Sequence, residues 1–401
     1  MSNHLSEAEK SFIRTHQNDD VTTLLLQAKR FPHLNIPDLV LQIKARQKAK
    51  LKLPEWVENE NIIFPKMLSV EQSSSEITAK FKANLVSGDT LIDLTGGLGV
   101  DMAYMSKNFK RAIYFEQNTD LLAVTKHNFR QLGIKNVAFV EGNSVEKLSE
   151  ILSSKFDLNS WIYLDPHRRD DTGSKIVRLQ DCEPNILKIR NFLFEFTDNI
   201  LLKASPMLDI DLAILELGNV SQVYVVAVEN EVKEVLFHIS NNDSDRNSNE
   251  VIINAVNITK SNSTTLSFTK STESNASIKL SLPKQYLYEP NAAIMKSGGF
   301  KFVAQYFDVQ KIAPHSHLYT SENVAENFQG RIFKTIAVCK LDKKEISKHL
   351  SENKANITIR NFPLTVQQIR DKLKLSDGGN DYLFATTDAQ NQKIIIICRK
   401  I

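Results

Sequence analysis

The densest chemical signal in this chain lies at residues 91–101, LIDLTGGLGVD, where an apolar run ends in Asp93 and passes through Gly96, Gly97 and Gly99. Glycines at a strand-to-helix turn let backbone amides approach a ligand closely, at the carboxyl ends of the strands of a doubly wound sheet. A second acid, Glu116, closes the next apolar run (AIYFE) 20 residues after Gly96. A carboxylate so placed can accept hydrogen bonds from two ribose hydroxyls. The third run, VAFVEGNS, ends in Asn143 and Ser144, polar side chains able to read an adenine edge. The fourth, WIYLDPHRRD, opens from an apolar strand into Asp165, Pro166, His167, Arg168 and Arg169, where a donor would meet its acceptor.

In a dinucleotide fingerprint aligned on Gly97 and Gly99 the third glycine falls at Met102, which weakens the pyrophosphate reading. Asp93 at the strand tip favours a ligand with a cationic amino group, as in S-adenosylmethionine (SAM). Cofactor contacts are therefore expected from Asp93, Thr95, Gly96, Gly97, Gly99, Glu116, Gln117, Asn143 and Ser144. Methyl transfer from a sulfonium is a direct displacement, so the protein mainly aligns the reactants and accepts a proton. Asp165, with the backbone around Pro166, is expected to orient the acceptor, and Arg168 and Arg169 to hold an adjacent phosphate or carbonyl. The competing roles are structural: a turn cap for Asp165, and ion pairs with Asp170 or Asp171 for the arginines. Lys203, ending NILLKA, either faces the same crevice or is a solvated strand end, and His167 is either a proton shuttle or a hydrogen-bonding residue.

Cys182, Cys339 and Cys398 all lie away from DPHRR, Cys182 being nearest at 17 residues from Asp165, which disfavours a thiolate attack on a pyrimidine. His4 with His16 and His315 with His317 lack further ligands nearby, so no metal is expected.

These residues need a scaffold. The runs LIDL, AIYF, VAFV, WIYLD and NILLKA, then VYVVAV and VIINAV, alternate with helical patterns, which predicts a doubly wound parallel α/β sheet. Residues 5–53 carry apolar side chains at helical spacing, punctuated by Pro32, Pro37 and Pro54. Residues 240–276, rich in Ser, Asn and Thr, read as loops or hairpin tips. Beyond Pro283 a strand at YLYEP, a helix from Asn291 to Tyr306, strands at HLYT and RIFKTIAVC, a helix at KKEISKHL, a strand at NITIR, a helix at TVQQIRDKLKL and a hairpin of YLFATT with KIIIICRK predict an α+β module. Three units are expected: 1–64 helical, 65–280 carrying the site, and 281–401.

A hydrophobic content of 42% with 24% charged residues excludes a wholly disordered or fibrous chain. The absence of a long apolar run predicts no membrane span, and scattered cysteines without a leader segment predict a reducing cytoplasm. Net charge is +3, but residues 281–401 hold 18 Lys+Arg against 11 Asp+Glu, whereas residues 61–280 hold 23 against 28. Residues 29–52 add seven basic side chains against Asp38 alone. Such stretches either follow a phosphate backbone or solvate a helix face.

DLTGGLGVD, Glu116, GNS and DPHRRD, in this order, resemble a class I SAM-dependent methyltransferase over roughly residues 67–240. With SVEQSSSEITAKFKA, LLKASPMLDI, NEVKEVLF, YEPNAAIMKSGG and NFQGRIFK added, the whole chain resembles a family of bacterial SAM-dependent methyltransferases with a C-terminal THUMP-like domain. The resemblance implies a Rossmann-like catalytic sheet, an EQSSSE segment whose helix closes over the methionine end of SAM or which is simply an N-cap run, and an RNA substrate, tRNA or rRNA, since THUMP domains deliver RNA to modification enzymes. DPHR departs from the [DN]PP[YF] of base-amino methyltransferases, which weighs against amino-group methylation. A protein or small-molecule methyltransferase and a non-catalytic SAM- and RNA-binding protein are the alternatives.

Overall fold

The computed structural model describes residues 5–65, 67–151, 159–168, 178–241 and 250–401. It divides into two units, Met1–Ser221 with Leu236–Asn249, and Gln222–Val235 with Glu250–Ile401.

The first unit is built on β1 (Gly88–Asp93), β2 (Phe109–Glu116), β3 (Val137–Glu141) and β4 (Trp161–Leu164), two short strands β5 (His167–Arg168) and β6 (Cys182–Glu183), and β7 (Asn199–Ala204). β3, β2, β1, β4 and β7 lie side by side in that order, every neighbouring pair parallel. Leu91 and Ile92, Ile162 to Leu164, and Ile200 to Leu202 are buried in unbroken runs, as parallel strands covered on both faces require. The chain leaves β1 for β2 on one side and returns to β4 on the other, so the carboxyl ends of β1 and β4 flank the switch-point crevice. This is the predicted doubly wound sheet.

Helices Glu7–Thr15, Val21–Leu26 and Ile36–Ala49 form their own core from Phe12, Ile13, Leu24, Leu39, Val40 and Ile43, closed by Ile63 and by Val124 of helix Thr119–Gln131. The Asn128 side chain fixes this junction, accepting from Ile63 N at 2.9 Å and donating to Ile63 O at 2.8 Å. Two cations of the basic 29–52 stretch are committed internally. Buried Arg46 donates to the carbonyls of Val57, Glu60 and Ile62, and Lys52 to those of Val70 and Glu71.

The second unit holds most of β8 (Val220–Val228), the first half of β9 (Glu231–Ser240), β10 (Ile252–Ile258) parallel to β8, and β11 (Ser263–Thr269) antiparallel to β10. It also holds a seven-stranded sheet: β12 (Tyr286–Pro290), β13 (Gln310–Lys311), β14 (Tyr319–Ser321), β15 (Gly330–Cys339), β16 (Asn356–Arg360), β17 (Asp381–Thr387) and β18 (Lys393–Lys400). The order is β13-β14-β12-β15-β18-β17-β16, with only β16 and β17 parallel, which makes this an α+β module.

Two expectations are corrected here. Residues 263–269, read as loop, form β11, because Leu266 and Phe268 alternate inward among the hydroxyl side chains. The helix expected from Asn291 to Tyr306 is two helices, Ala292–Ser297 and Phe300–Tyr306. Gly298 breaks it in the left-handed conformation (φ +82°), and a Cβ on Gly299 would stand 2.6 Å from the Phe268 ring.

Candidate active site

Asp93, buried at the end of β1, accepts through Oδ1 from the Thr95 amide (2.9 Å) and the Thr95 hydroxyl (3.2 Å), which starts the glycine loop. The Thr95 hydroxyl oxygen also accepts from the Asp165 amide at 2.7 Å, tying the tip of β1 to the tip of β4. Glu116, at the end of β2, receives the Gly97 amide on Oε2 and the Asn118 amide on Oε1, each at 2.7 Å. Each oxygen keeps a lone pair for another donor.

The three glycines differ in what demands them. A Cβ on Gly96 would stand 2.3 Å from the Phe115 carbonyl oxygen, and one on Gly99 2.8 Å from Thr125 Cγ2 and 2.9 Å from the Phe129 ring. Both are small so that the loop can press on β2 and on helix Thr119–Gln131. Gly97, left-handed at φ +71°, is the glycine whose Cβ position is open, with nothing nearer than the Thr95 carbonyl at 3.9 Å. The carbonyl of Gly97 is held from below by the hydroxyls of Tyr114 (2.6 Å) and Thr125 (3.3 Å).

Asn143 points its side-chain oxygen at the amides of Val145 (3.0 Å) and Glu146 (3.4 Å), capping helix Ser144–Ile151. Ser144 is buried in the first turn of that helix, and Gln117 is exposed just beyond Glu116.

On the β4 side, the Asp165 carboxylate is paired with the Lys203 ammonium at the end of β7. Only 14% of the Lys203 side chain is exposed, so it is a crevice residue and not a solvated strand end. Behind the pair lies a polar network that the sequence reading had not assembled. The Ser74 hydroxyl donates to Asp101 Oδ2 at 2.7 Å and accepts from Lys82 at 3.2 Å and Lys203 at 3.4 Å. Lys82, wholly buried, also stands 3.1 Å from Asp101 Oδ1, and the Tyr163 hydroxyl donates to Asp101 Oδ2 at 2.6 Å.

These contacts separate two neighbouring acids. Burial raises the Asp101 carboxyl, but Lys82 and Lys203, with the Tyr163 and Ser74 hydroxyls, bring it below its ordinary range. Burial drives Asp93 well above that range despite the Thr95 hydrogen bonds, and repulsion from Asp101 and Asp165 adds to it. One signal could have found Lys82: Thr78, Ala79, Lys82 and Ala83 share the buried face of helix Glu76–Ala83, a lysine in an apolar phase.

Pro166 follows Asp165 directly, and His167 is exposed in β5. The Arg168 side chain and all of Arg169 lie outside the described residues. The distance assigned to Cys182 is corrected, because β5 and β6 place it opposite Arg168 despite their separation in sequence. Its thiol is buried and donates to the Arg178 carbonyl at 3.5 Å. Among the described residues no group of His, Cys, Asp and Glu could hold a metal, and no helix is long and apolar enough to cross a membrane.

A ferredoxin-like domain model matches residues 286–328 and a THUMP domain-like model residues 330–400. Over 98% of its length the chain is similar to a crystal structure described as a "putative methyltransferase" from Porphyromonas gingivalis W83, with 32% identity, 97% of that chain covered and a TM-score of 0.88. The chain belongs to this family of methyltransferases with a THUMP-like domain. More distant solved structures include an rRNA methylase from Streptococcus thermophilus (15% identity, 41% of this chain and 94% of that one, TM-score 0.30) and an O-methyltransferase from Bacillus cereus in complex with SAH (10%, 48% and 99%, TM-score 0.32). No curated protein matches the chain. In this methyltransferase the glycine loop and the three acids Asp93, Glu116 and Asp165 stand at the carboxyl ends of β1, β2 and β4.

Proposed function

We propose that this methyltransferase uses SAM to methylate a structured RNA, tRNA or rRNA, in the cytoplasm. The observation that carries the reading is the Thr95 hydroxyl, which bridges Asp93 on the cofactor side to Asp165 on the acceptor side. The residues present fit SAM. The open Gly97 leaves room for close backbone approach, Glu116 keeps lone pairs for ribose hydroxyls, and a cationic amino group would steady the charge of Asp93.

When bound, SAM supplies an electrophilic methyl group: the acceptor's lone pair forms the new bond to carbon as the carbon–sulfur pair returns to sulfur. Asp165 orients the acceptor and takes up its proton, and Lys203 fixes the direction of that carboxylate. Pro166, Arg168 and Arg169 would line the acceptor side, and Gln117, Asn143 and Ser144 the adenine side. The RNA reading draws support from the basic excess of residues 281–401 and the THUMP-like match.

The test is transfer of label from methyl-tritiated SAM to separate pools of unmodified RNA and cell protein. Counts in RNA that vanish with Asp165→Ala, while SAM binding persists, are the expected result. Counts in protein alone, or an Asp165→Ala enzyme with full transfer rate, would overturn the substrate or the assignment respectively.

A further inference from the structure

In the second unit, Glu289 on β12 is buried and shared by two arginines. Arg331, its cross-strand partner on β15, donates to Glu289 Oε2 through Nε at 2.7 Å and also through Nη2. Arg360, the last residue of β16, donates to Glu289 Oε1 through Nη2 at 2.8 Å. β15, β18 and β17 separate β12 from β16 in the sheet, so Arg360 can meet Glu289 only because the sheet curls. Leu287, Phe333, Phe384 and Ile394, drawn from four of these strands, share one apolar cluster and mark the same curl.

The charges do not balance. One carboxylate holds two guanidiniums, although a single arginine would neutralise it. Both of its oxygens are occupied, yet the arginine side chains stay 37% and 32% exposed. Lys311 adds a buried ammonium whose hydrogen bond goes to the Pro314 carbonyl at 2.8 Å, not to a carboxylate. His317, stacked on Phe300, registers the positive field: burial first, then Lys311 and Arg360, push its imidazole down to about 4. Two planar donor forks, fixed in place with net positive charge and donors to spare, match the oxygens of a phosphate.

We propose that Arg331 and Arg360, preorganised by Glu289, form a phosphate-binding site that takes a backbone phosphate of the RNA substrate. The proposal rests on the RNA reading above and is separable from it by two probes on the full chain. Bulk tRNA binding is measured across a KCl series for the native protein, Arg331→Gln and Arg360→Gln. Line broadening of inorganic phosphate in 31P spectra is measured for the same three proteins. Arg360→Lys, which keeps the charge opposite Glu289 and loses the fork, replaces Arg360→Gln if that variant does not fold.

Each glutamine variant should weaken tRNA binding several-fold and lower the slope of log K against log salt by about one, and should remove the phosphate broadening. Unchanged tRNA affinity and slope overturn the site and leave the RNA reading standing. Phosphate broadening lost in the variants, with no tRNA bound by the native protein, keeps the site for a small phosphorylated ligand and removes RNA. No response to either probe removes both.

Discussion

The Lys82–Asp101 pair makes the strongest quantitative commitment in the first unit. Lys82 is fully buried and Asp101 9% exposed, so Lys82→Met leaves a carboxylate in a low-dielectric interior without its nearest countercharge. Removing one partner of a buried pair costs about 3–5 kcal/mol. Asp101 keeps the Ser74 and Tyr163 hydroxyls on Oδ2 and the attraction of Lys203, which puts the expected loss near the lower end, about 3 kcal/mol. Methionine fills the volume of the lysine stem, so little of this is a cavity effect. Asp101→Asn added to Lys82→Met removes the stranded charge and still offers Ser74 and Tyr163 an acceptor, and the double variant should return to within about 1 kcal/mol of the native protein. Trp56 and Trp161 are the two tryptophans of the chain and both lie in the first unit, so urea unfolding followed by tryptophan fluorescence reports on this unit. A single variant within about 1 kcal/mol of native, or a double variant no more stable than the single, refutes the account of the network.

Two further perturbations are expected to read out cleanly. Gly96→Ala places a methyl group 2.3 Å from the Phe115 carbonyl and 3.0 Å from Glu116 Oε2, so it should displace the loop and abolish SAM binding by calorimetry, at a stability cost of about 1–3 kcal/mol. His317 should make the second unit sensitive to mild acid. Its folded value of about 4 lies below the ordinary 6.5, so no stability is lost above pH 6.5, and falling pH from there to 4 favours the unfolded chain, which takes up the proton first. The full linkage is about 3 kcal/mol, cut to roughly 1–2 by solvent screening of a ring that is only partly buried. His317→Asn, which tolerates the left-handed φ of +52°, should flatten the midpoint-against-pH curve over that window, and parallel curves would refute the cause.

What could be read from the sequence was local. Strand tips, the glycine turn and the acids at the tips of β1, β2 and β4 announce themselves within windows of about ten residues, because apolar runs and turn residues are set by period and punctuation. What could not be read was brought together by the tertiary fold. Ser74 meets Asp101 across 27 positions, Tyr163 meets Asp101 across 62 and Lys203 meets Ser74 across 129. Cys182 comes to lie opposite Arg168 through a two-residue pairing too short to leave a pattern. β11 was hidden for another reason: its serines and threonines look like loop by composition, and only the alternation of Leu266 with Phe268 reveals a strand.

Charge counting was the least discriminating guide, and Arg46 shows why. It belongs to the basic stretch 29–52 that could have been a phosphate footprint, yet it is buried, both of its terminal nitrogens donate to backbone carbonyls, and burial lowers its guanidinium to about 10. Arg46 holds the N-terminal helices to the segment before β1, and its remaining nitrogen, Nε, is buried where no ligand reaches it. Arg331 and Arg360 carry the same formal charge but share one carboxylate and keep about a third of their surface in solvent. A cation binds phosphate only with the donors that folding has not used, so the count that matters is of donors left over. On that count Arg331 and Arg360, not Arg46, are arginines on which RNA affinity should depend.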